Sequence, residues 1–560
     1  MQNRHLLFLA GVFSLAASTS ITAESVADGP ADVILAKDGR AALPIVAGEA
    51  AQPAEELRRY LNRIIGADGD FAFEVVPRAE HDRRRAAIFV GTFEEFPQLA
   101  VNDFASLGSE GFIVRPQAGS VFLLANRERG VSHAVMTLLK HLGCRWYFPG
   151  ETWEVVPSRK NLRIALDVRE VPSFPTQRRI WYGYGAYAQN KQEWEDWMRR
   201  NRMGAAVPIS IGHAWAGLKS EADFKTHPEY FALVDGKRLP TKPCYSHPDV
   251  IARAIAAAKR RAEEGAGMIS MTPPDGLGYC ECDRCLKTAK VRETFQEHRS
   301  LFGKQPDGRL VNVTSETVFQ FVNQVAAAVA EGHPRTLIGC YAYSAYSHPP
   351  SFDLHKNVYL QTTTAYRRTP LTLQQQLAAY GAKTEQLGIR EYYSVYQWDW
   401  DYPDPGKLTP DALRRDLKFF HDHGVTAVNA EASCNWGPRG LGYYLAANLM
   451  WNVNAETDPL VRDFLRTAFG PAAPAMQRYF ARWYGEEVAV LGDVEDLPAK
   501  ATYRMKNTHN LRALIDAYAD LDEAVHLTNN HPAERARVDQ FRMYAHYLLL
   551  RYKLQLATEG

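Results

Sequence analysis

Apolar and polar positions alternate along this chain in three successive rhythms. From 24 to about 170, short apolar runs sit between helical stretches. Residues 51–61 carry the three-to-four-residue spacing of an amphipathic helix, stopped by Gly66. Residues 87–91, 111–114 and 121–125 read as strands, and 130–142 as a helix closed by Gly143. Helices packed on a mainly β-sheet are the economical arrangement, so an α/β accessory domain is expected over 24–170.

From 175 to 454 the pattern becomes strand, loop and helix in repetition. The runs 180–184, 206–211, 268–271, 337–341, 358–362, 391–396 and 427–431 predict strands. Between them, 191–203, 247–264, 315–331, 373–387, 409–423 and 441–452 predict helices. This alternation predicts a TIM-type (β/α)8 barrel, with seven strands placed and the eighth unassigned. No glycine-rich phosphate fingerprint follows any strand, which argues against a doubly wound nucleotide-binding sheet. Beyond 455 strand signals stop. Stretches 460–469, 475–484, 510–527 and 533–556 all read as helices, so 455–560 is expected to be a helical domain.

The first residues follow another logic. Arg4 and His5 precede the apolar run from Leu6 to Phe13, and Thr22-Ala23 supplies small residues before Glu24. This is the pattern of a secretory signal peptide over 1–23, so the mature protein is expected in a periplasm or outside the cell. No apolar run is long enough to span a bilayer, so no membrane insertion is expected. A formal net charge of +1 implies no field suited to nucleic acid. The 27 Tyr and 11 Trp change the picture more, because many stand beside Gly, Asn and Asp, as on a surface that stacks on sugar rings. Core packing is the alternative for each of them.

In a barrel, chemistry gathers at the C-terminal ends of the strands. There the sequence places Tyr182, His213, Trp215, Asp275, Tyr343, Trp398, Asp399, Glu431 and Trp436. Cleaving a glycosidic bond needs one carboxyl to protonate the leaving oxygen and another to act as base or nucleophile. Asp275 and Glu431 are the favoured pair, since both end strands on one rim; capping a loop or pairing with an arginine is the alternative for each. Asp399 is the reserve acid. Tyr182, His213, Trp215, Tyr343, Trp398 and Trp436 are expected to form a sugar pocket. Arg178 and Arg179 open the first strand, facing either an acidic sugar or an interdomain salt bridge. No H-E-x-x-H, G-x-S-x-G or Walker loop is present. No cofactor is expected for catalysis.

Cys280, Cys282 and Cys285 form a C-x-C-x-x-C run, with Cys244 upstream. Four thiolates could hold a structural Zn²⁺; in an exported protein, disulfides are the equal alternative. Either way the cluster pins the loop after Asp275.

Two resemblances add to this reading. The run from Ala54 to Leu61, then Val90-Gly91, Glu110-Gly111-Phe112, Arg129-Gly130-Val131 and Leu142 to Gly150, resembles the accessory domain before the barrel in α-glucuronidases and β-hexosaminidases. Trp197 to Met203, His227 to Leu233 with Asp235-Gly236-Lys237-Arg238, Cys244 to Val250, Pro274 to Cys285 and Trp436 to Trp451 resemble a bacterial family called domain of unknown function 4838. The resemblance implies a glycoside-hydrolase-like barrel, without a settled substrate. Hexosaminidases carry an adjacent Asp-Glu pair, whereas Gly276 follows Asp275 here, which argues against their substrate-assisted mechanism. The expectation is an exported glycoside hydrolase acting on an oligo- or polysaccharide, with uronic acid as a candidate component. The alternatives are a non-catalytic glycan-binding protein on the same scaffold and a zinc-dependent hydrolase, which would need an open ligand position.

Overall fold

The computed structural model describes residues 32–559, except 50, 83, 98, 100–103, 183–189, 207–208, 288–314, 396–402, 493, 495–496, 499 and 501–510. The N-terminal part is a six-stranded sheet in the order Val168–Glu170, Phe112–Gln117, Ser120–Ala125, Ile88–Thr92, Ile45–Ala47, Val75–Pro77. The last four of these strands run parallel and the first two pair antiparallel. The Ala51–Ile65 and Glu128–His141 helices cover one face. Leu57, Tyr60, Leu61 and Ile64 recur at helical spacing, so one stripe of the first helix is fully buried. Gly66, at φ 65°, ends it in the left-handed region that favours glycine.

The central unit is a seven-stranded, mostly parallel sheet. Its order is Gly204–Ala205, Gln177–Ile180, Ala427–Glu431, Leu387–Tyr392, Val358–Arg367, Leu337–Ser344, Met268–Ser270. Only the first pair is antiparallel. The sheet curls. Ala206 donates its N–H to Thr176 at one edge, and a few residues on His213 bridges in parallel to Thr272 beyond the other. The inner face is lined first by Met268, Tyr359 and Ala427. Above them lies a polar chain in which Gln361 donates to Gln177 and accepts from Asn429. The connecting helices Lys191–Arg200, Pro248–Glu263, Ser315–Ala330, Leu373–Gly381, Pro410–Asp422 and Trp436–Trp451 follow in sequence.

Some registers differ from the sequence reading: the strand expected over 180–184 is Gln177–Ile180, and near 206–211 the strand is Gly204–Ala205. The helix expected over 373–387 stops at Gly381, and the strand expected over 391–396 is Leu387–Tyr392. A Thr372–Gln375 capping box fixes where the helix starts. The buried Leu387 and Ile389 then pair with the neighbouring strand, which overrides the helical spacing read through them.

After residue 455 come the helices Thr457–Phe469, Ala473–Tyr484, Leu511–Leu527 and Pro532–Glu559. Their apolar faces belong to the same hydrophobic cluster as the central sheet, running from Ile180 through Leu445 to Phe464, Phe480 and Phe541. The N-terminal sheet keeps a core of its own, with one intruder, Trp451. That indole stacks on Phe112, meets His133 edge-on and donates to Glu170 at 2.6 Å. No helix among the described residues is long and apolar enough to cross a membrane.

Candidate active site and a four-cysteine cluster

Alternation along the strands decides which side chains share the inner face. Gln177 pairs in register with Ala427, and Arg179 with Asn429. Since Ala427 lines the inner face, Asn429, Glu431 and Arg179 point the same way, two residues apart along each strand. Arg390 pairs with Asn429 on the other side, bringing it to the same level.

Glu431 is the last residue of its strand and only 5% exposed. It accepts a hydrogen bond from Nη2 of Arg390, itself buried. The Arg390 guanidinium lies 3.6 Å over the ring centre of Trp181, whose Nε1 donates to Asn429 at 2.8 Å. Nη1 of Arg390 is buried with no hydrogen-bond partner among the described residues. Beside it stands Arg179, which makes no ion pair among the described residues; burial and the like charge of Arg390 push its guanidinium down from its ordinary range. Among the described residues, Arg390 and Arg179 are therefore two cations beside the Glu431 carboxylate.

Asp275 sits at the exposed rim, in the loop after Met268–Ser270. Its Oδ1 accepts from the Gly276 N–H at 2.7 Å and from the Tyr343 hydroxyl at 3.2 Å. Burial, then the charge of Asp275, then Tyr366 and Glu431 push the Tyr343 phenol well above its ordinary value. Tyr343 thus stands within electrostatic reach of both carboxylates. Lys242 braces the Asp275 loop from behind, donating from Nζ to the carbonyls of Pro274 and Asp275. The His213 ring lies 6.2 Å from that of Tyr343, and its Nδ1 is 2.6 Å from the Pro273 carbonyl. A carbonyl only accepts, so Nδ1 carries the proton and Nε2 is the ring's other face. Tyr392 and Tyr366, with ring centres 5.3 Å apart, extend the aromatic wall.

Asp275, Glu431, His213 and Tyr343 are therefore brought to one mouth. Arg178 and Trp436 lie elsewhere. Arg178 is fully buried on the opposite face of its strand, hydrogen-bonded to Glu110 and to the carbonyls of Phe174 and Arg202. A one-residue step along a strand reverses the side chain, so Arg179 rather than Arg178 faces the cleft. Tyr182 packs against Trp194, 5.7 Å away, and Trp215 packs on the apolar core. Trp436 contacts Trp197 and Tyr443, and lines a separate, mainly apolar cavity of about 330 Å³ with Phe148, Trp153 and Tyr544. Trp398 and Asp399 lie outside the described residues. Arg390, Trp181 and Tyr392 were not singled out from sequence. Placing that strand four residues late left Arg390 outside it, where alternation could not find it.

The four cysteines converge. Cys244 follows the hairpin Phe231–Val234/Lys237–Pro243, Cys280 and Cys282 lie in the loop beyond Asp275, and Cys285 is in the short helix Asp283–Leu286. Sγ of Cys244 is 3.6 Å from that of Cys280 and 3.7 Å from those of Cys282 and Cys285. All four sulfurs lie within 4.8 Å of one another and all four residues are buried.

Fold and site define a mixed α/β protein whose curled, parallel-rich sheet carries a carboxylate- and aromatic-lined mouth. The chain belongs to the family described as a domain of unknown function (DUF4838), whose model matches residues 148–481. It is similar to the solved structure of a GH138 enzyme targeting pectin rhamnogalacturonan II, at 11% identity and a TM-score of 0.41, over 90% of this chain and 69% of that one. No curated protein matches it.

Proposed function

We propose that this protein is an exported glycoside hydrolase that cleaves a glycosidic bond next to an acidic sugar in an oligo- or polysaccharide. The observation that carries this reading is that Tyr343 is hydrogen-bonded to Asp275 and within electrostatic reach of Glu431, at the C-terminal ends of parallel strands. In this reading the curled sheet is a (β/α)8-type barrel. Asp275 is the general acid. Its Oδ1 accepts from Tyr343 and Gly276, which leaves Oδ2 to serve the leaving oxygen. Glu431 is the base or nucleophile, oriented by the hydrogen bond from Arg390. Tyr343, Tyr366 and Tyr392 supply stacking faces for sugar rings. Arg179 and Nη1 of Arg390, neither partnered among the described residues, favour a substrate carboxylate, as in a uronic acid. The apolar run from Leu6 to Phe13 supports export.

The test is a screen on aryl glycosides and uronic-acid oligosaccharides, with Asp275→Asn and Glu431→Gln beside the native chain. Losses of roughly 10²–10⁴-fold in each variant are expected. Full activity in both variants refutes the assignment. Saturable sugar binding with no turnover by the native protein favours a glycan-binding role on this scaffold.

A further inference from the structure

We infer that Cys244, Cys280, Cys282 and Cys285 bind one Zn²⁺ as a closed tetrathiolate centre, and that this centre braces the loop carrying Asp275. A disulfide singles out one partner, with its sulfur about 2.05 Å away. Here Cys244 stands at nearly the same distance, 3.6 to 3.7 Å, from three different sulfurs. Thiolates at about 2.3 Å from a central zinc in a tetrahedron are spaced about 3.8 Å apart. The three spacings at Cys244 therefore match those of a tetrahedral zinc site, and the remaining sulfur pairs lie within 4.8 Å. With four protein ligands no position remains for water or substrate, so the centre is structural rather than catalytic.

The surroundings suit a thiolate cluster. Sγ of Cys280 accepts from the Leu233 N–H at 3.3 Å, and Nη1 of Arg238 approaches it at 3.9 Å. The Ser246 hydroxyl lies 2.9 Å from Sγ of Cys285. Such outer contacts orient ligands and spread their negative charge. The hairpin also needs a tie. Its first residue, Phe231, is anchored in the main core, but Ala232, Leu233, Val234 and Leu239 form a small satellite cluster with the cysteines. A patch of that size holds a hairpin poorly on its own, and metal binding free energy adds directly to folding.

The same hairpin reaches the candidate acid. Lys242 lies two residues before Cys244 and grips the carbonyls of Pro274 and Asp275. Five residues after Asp275 the chain returns to the cluster at Cys280. The loop is thus held at both ends, by Lys242 near Asp275 and by the cysteines at its exit.

This inference does not rest on the hydrolase reading, because its readouts are metal and order rather than turnover. The full chain, purified without chelator, is expected to carry about one zinc per molecule by plasma mass spectrometry. Zinc should be released, as read with a metallochromic dye, when a mercurial blocks the thiols. Cys282→Ser is expected to lose zinc, while Cys340→Ser, at a buried thiol outside the cluster, keeps it. Should Cys282→Ser fail to fold, peptide mapping of the native chain still decides. A disulfide joining Cys244 to any of the other three, with no metal, overturns the site; iron in its place overturns the assignment of zinc. In zinc-depleted protein, amide exchange over 273–287 is expected to rise while the Leu337–Ser344 strand stays protected. Unchanged exchange over 273–287 overturns the bracing role.

Discussion

The Arg390 guanidinium sits over the Trp181 indole, 3.6 Å from its centre, while the same guanidinium donates to Glu431. An aromatic face thereby holds the cation that orients the carboxylate. Trp181→Leu is expected to remove about 0.5–2 kcal/mol of that interaction. Its kinetic mark is a fall in kcat with little change in KM, because Glu431 loses its aim rather than the substrate its seat. An unchanged kcat would mean that Arg390 needs no such support.

Arg179 separates charge recognition from catalysis. Replacing it with Gln removes a charge-assisted contact worth about 1.5–3 kcal/mol. KM for a uronic-acid substrate should rise roughly ten- to a hundredfold, while the neutral sugar of the same linkage is processed as before. An equal loss on both substrates would place Arg179 in general support of the pocket instead.

Arg178 predicts the opposite behaviour. It is fully buried against Glu110, and Arg178→Met leaves that carboxylate without its main partner. Breaking a buried pair in this way costs about 3–5 kcal/mol. The variant should unfold at markedly lower denaturant, yet turn over normally whatever fraction remains folded.

The same cluster fixes an acid sensitivity. Burial alone would raise the Glu110 carboxyl, but His133 and Arg178 hold it down at about 2, below its ordinary 4.5. Complete burial, with Arg178 nearby, holds the His133 ring down at about 4, below 6.5. Both groups bind protons more readily once unfolded, so each loses its stabilising share as pH falls. His133 gives up its share between 6.5 and 4, and Glu110 between 4.5 and 2. The Tm should therefore decline in two overlapping stages below pH 6.5, and His133→Gln should flatten the upper one. A Tm that is level from pH 6.5 to 4 would contradict the buried, neutral histidine.

Much of this was legible in advance where burial and periodicity agreed. The Ala427–Glu431 strand fell where its run of small and apolar residues put it, so Glu431 could be named. The C-x-C-x-x-C spacing marked three of four converging sulfurs, because ligand spacing is local. What stayed hidden depends on register. Arg178 and Arg179 are adjacent and alike in type, and only the pairing with Val428 and Asn429 tells which faces inward. Trp436 has the composition of a sugar platform, but its surroundings come from residues a hundred or more positions away, including Phe148 and Tyr544. Long-range packing of that kind leaves no mark on a local pattern.

Trp451 ends the helix that follows the last central strand, yet its ring lies in the core of the N-terminal sheet, with Arg178 and Arg202 against it. The N-terminal unit is therefore not an interchangeable module. Excising it, or grafting a relative's version in its place, would strip a large aromatic ring and two guanidiniums of their surroundings. Calorimetry should accordingly record both sheets melting in a single endotherm.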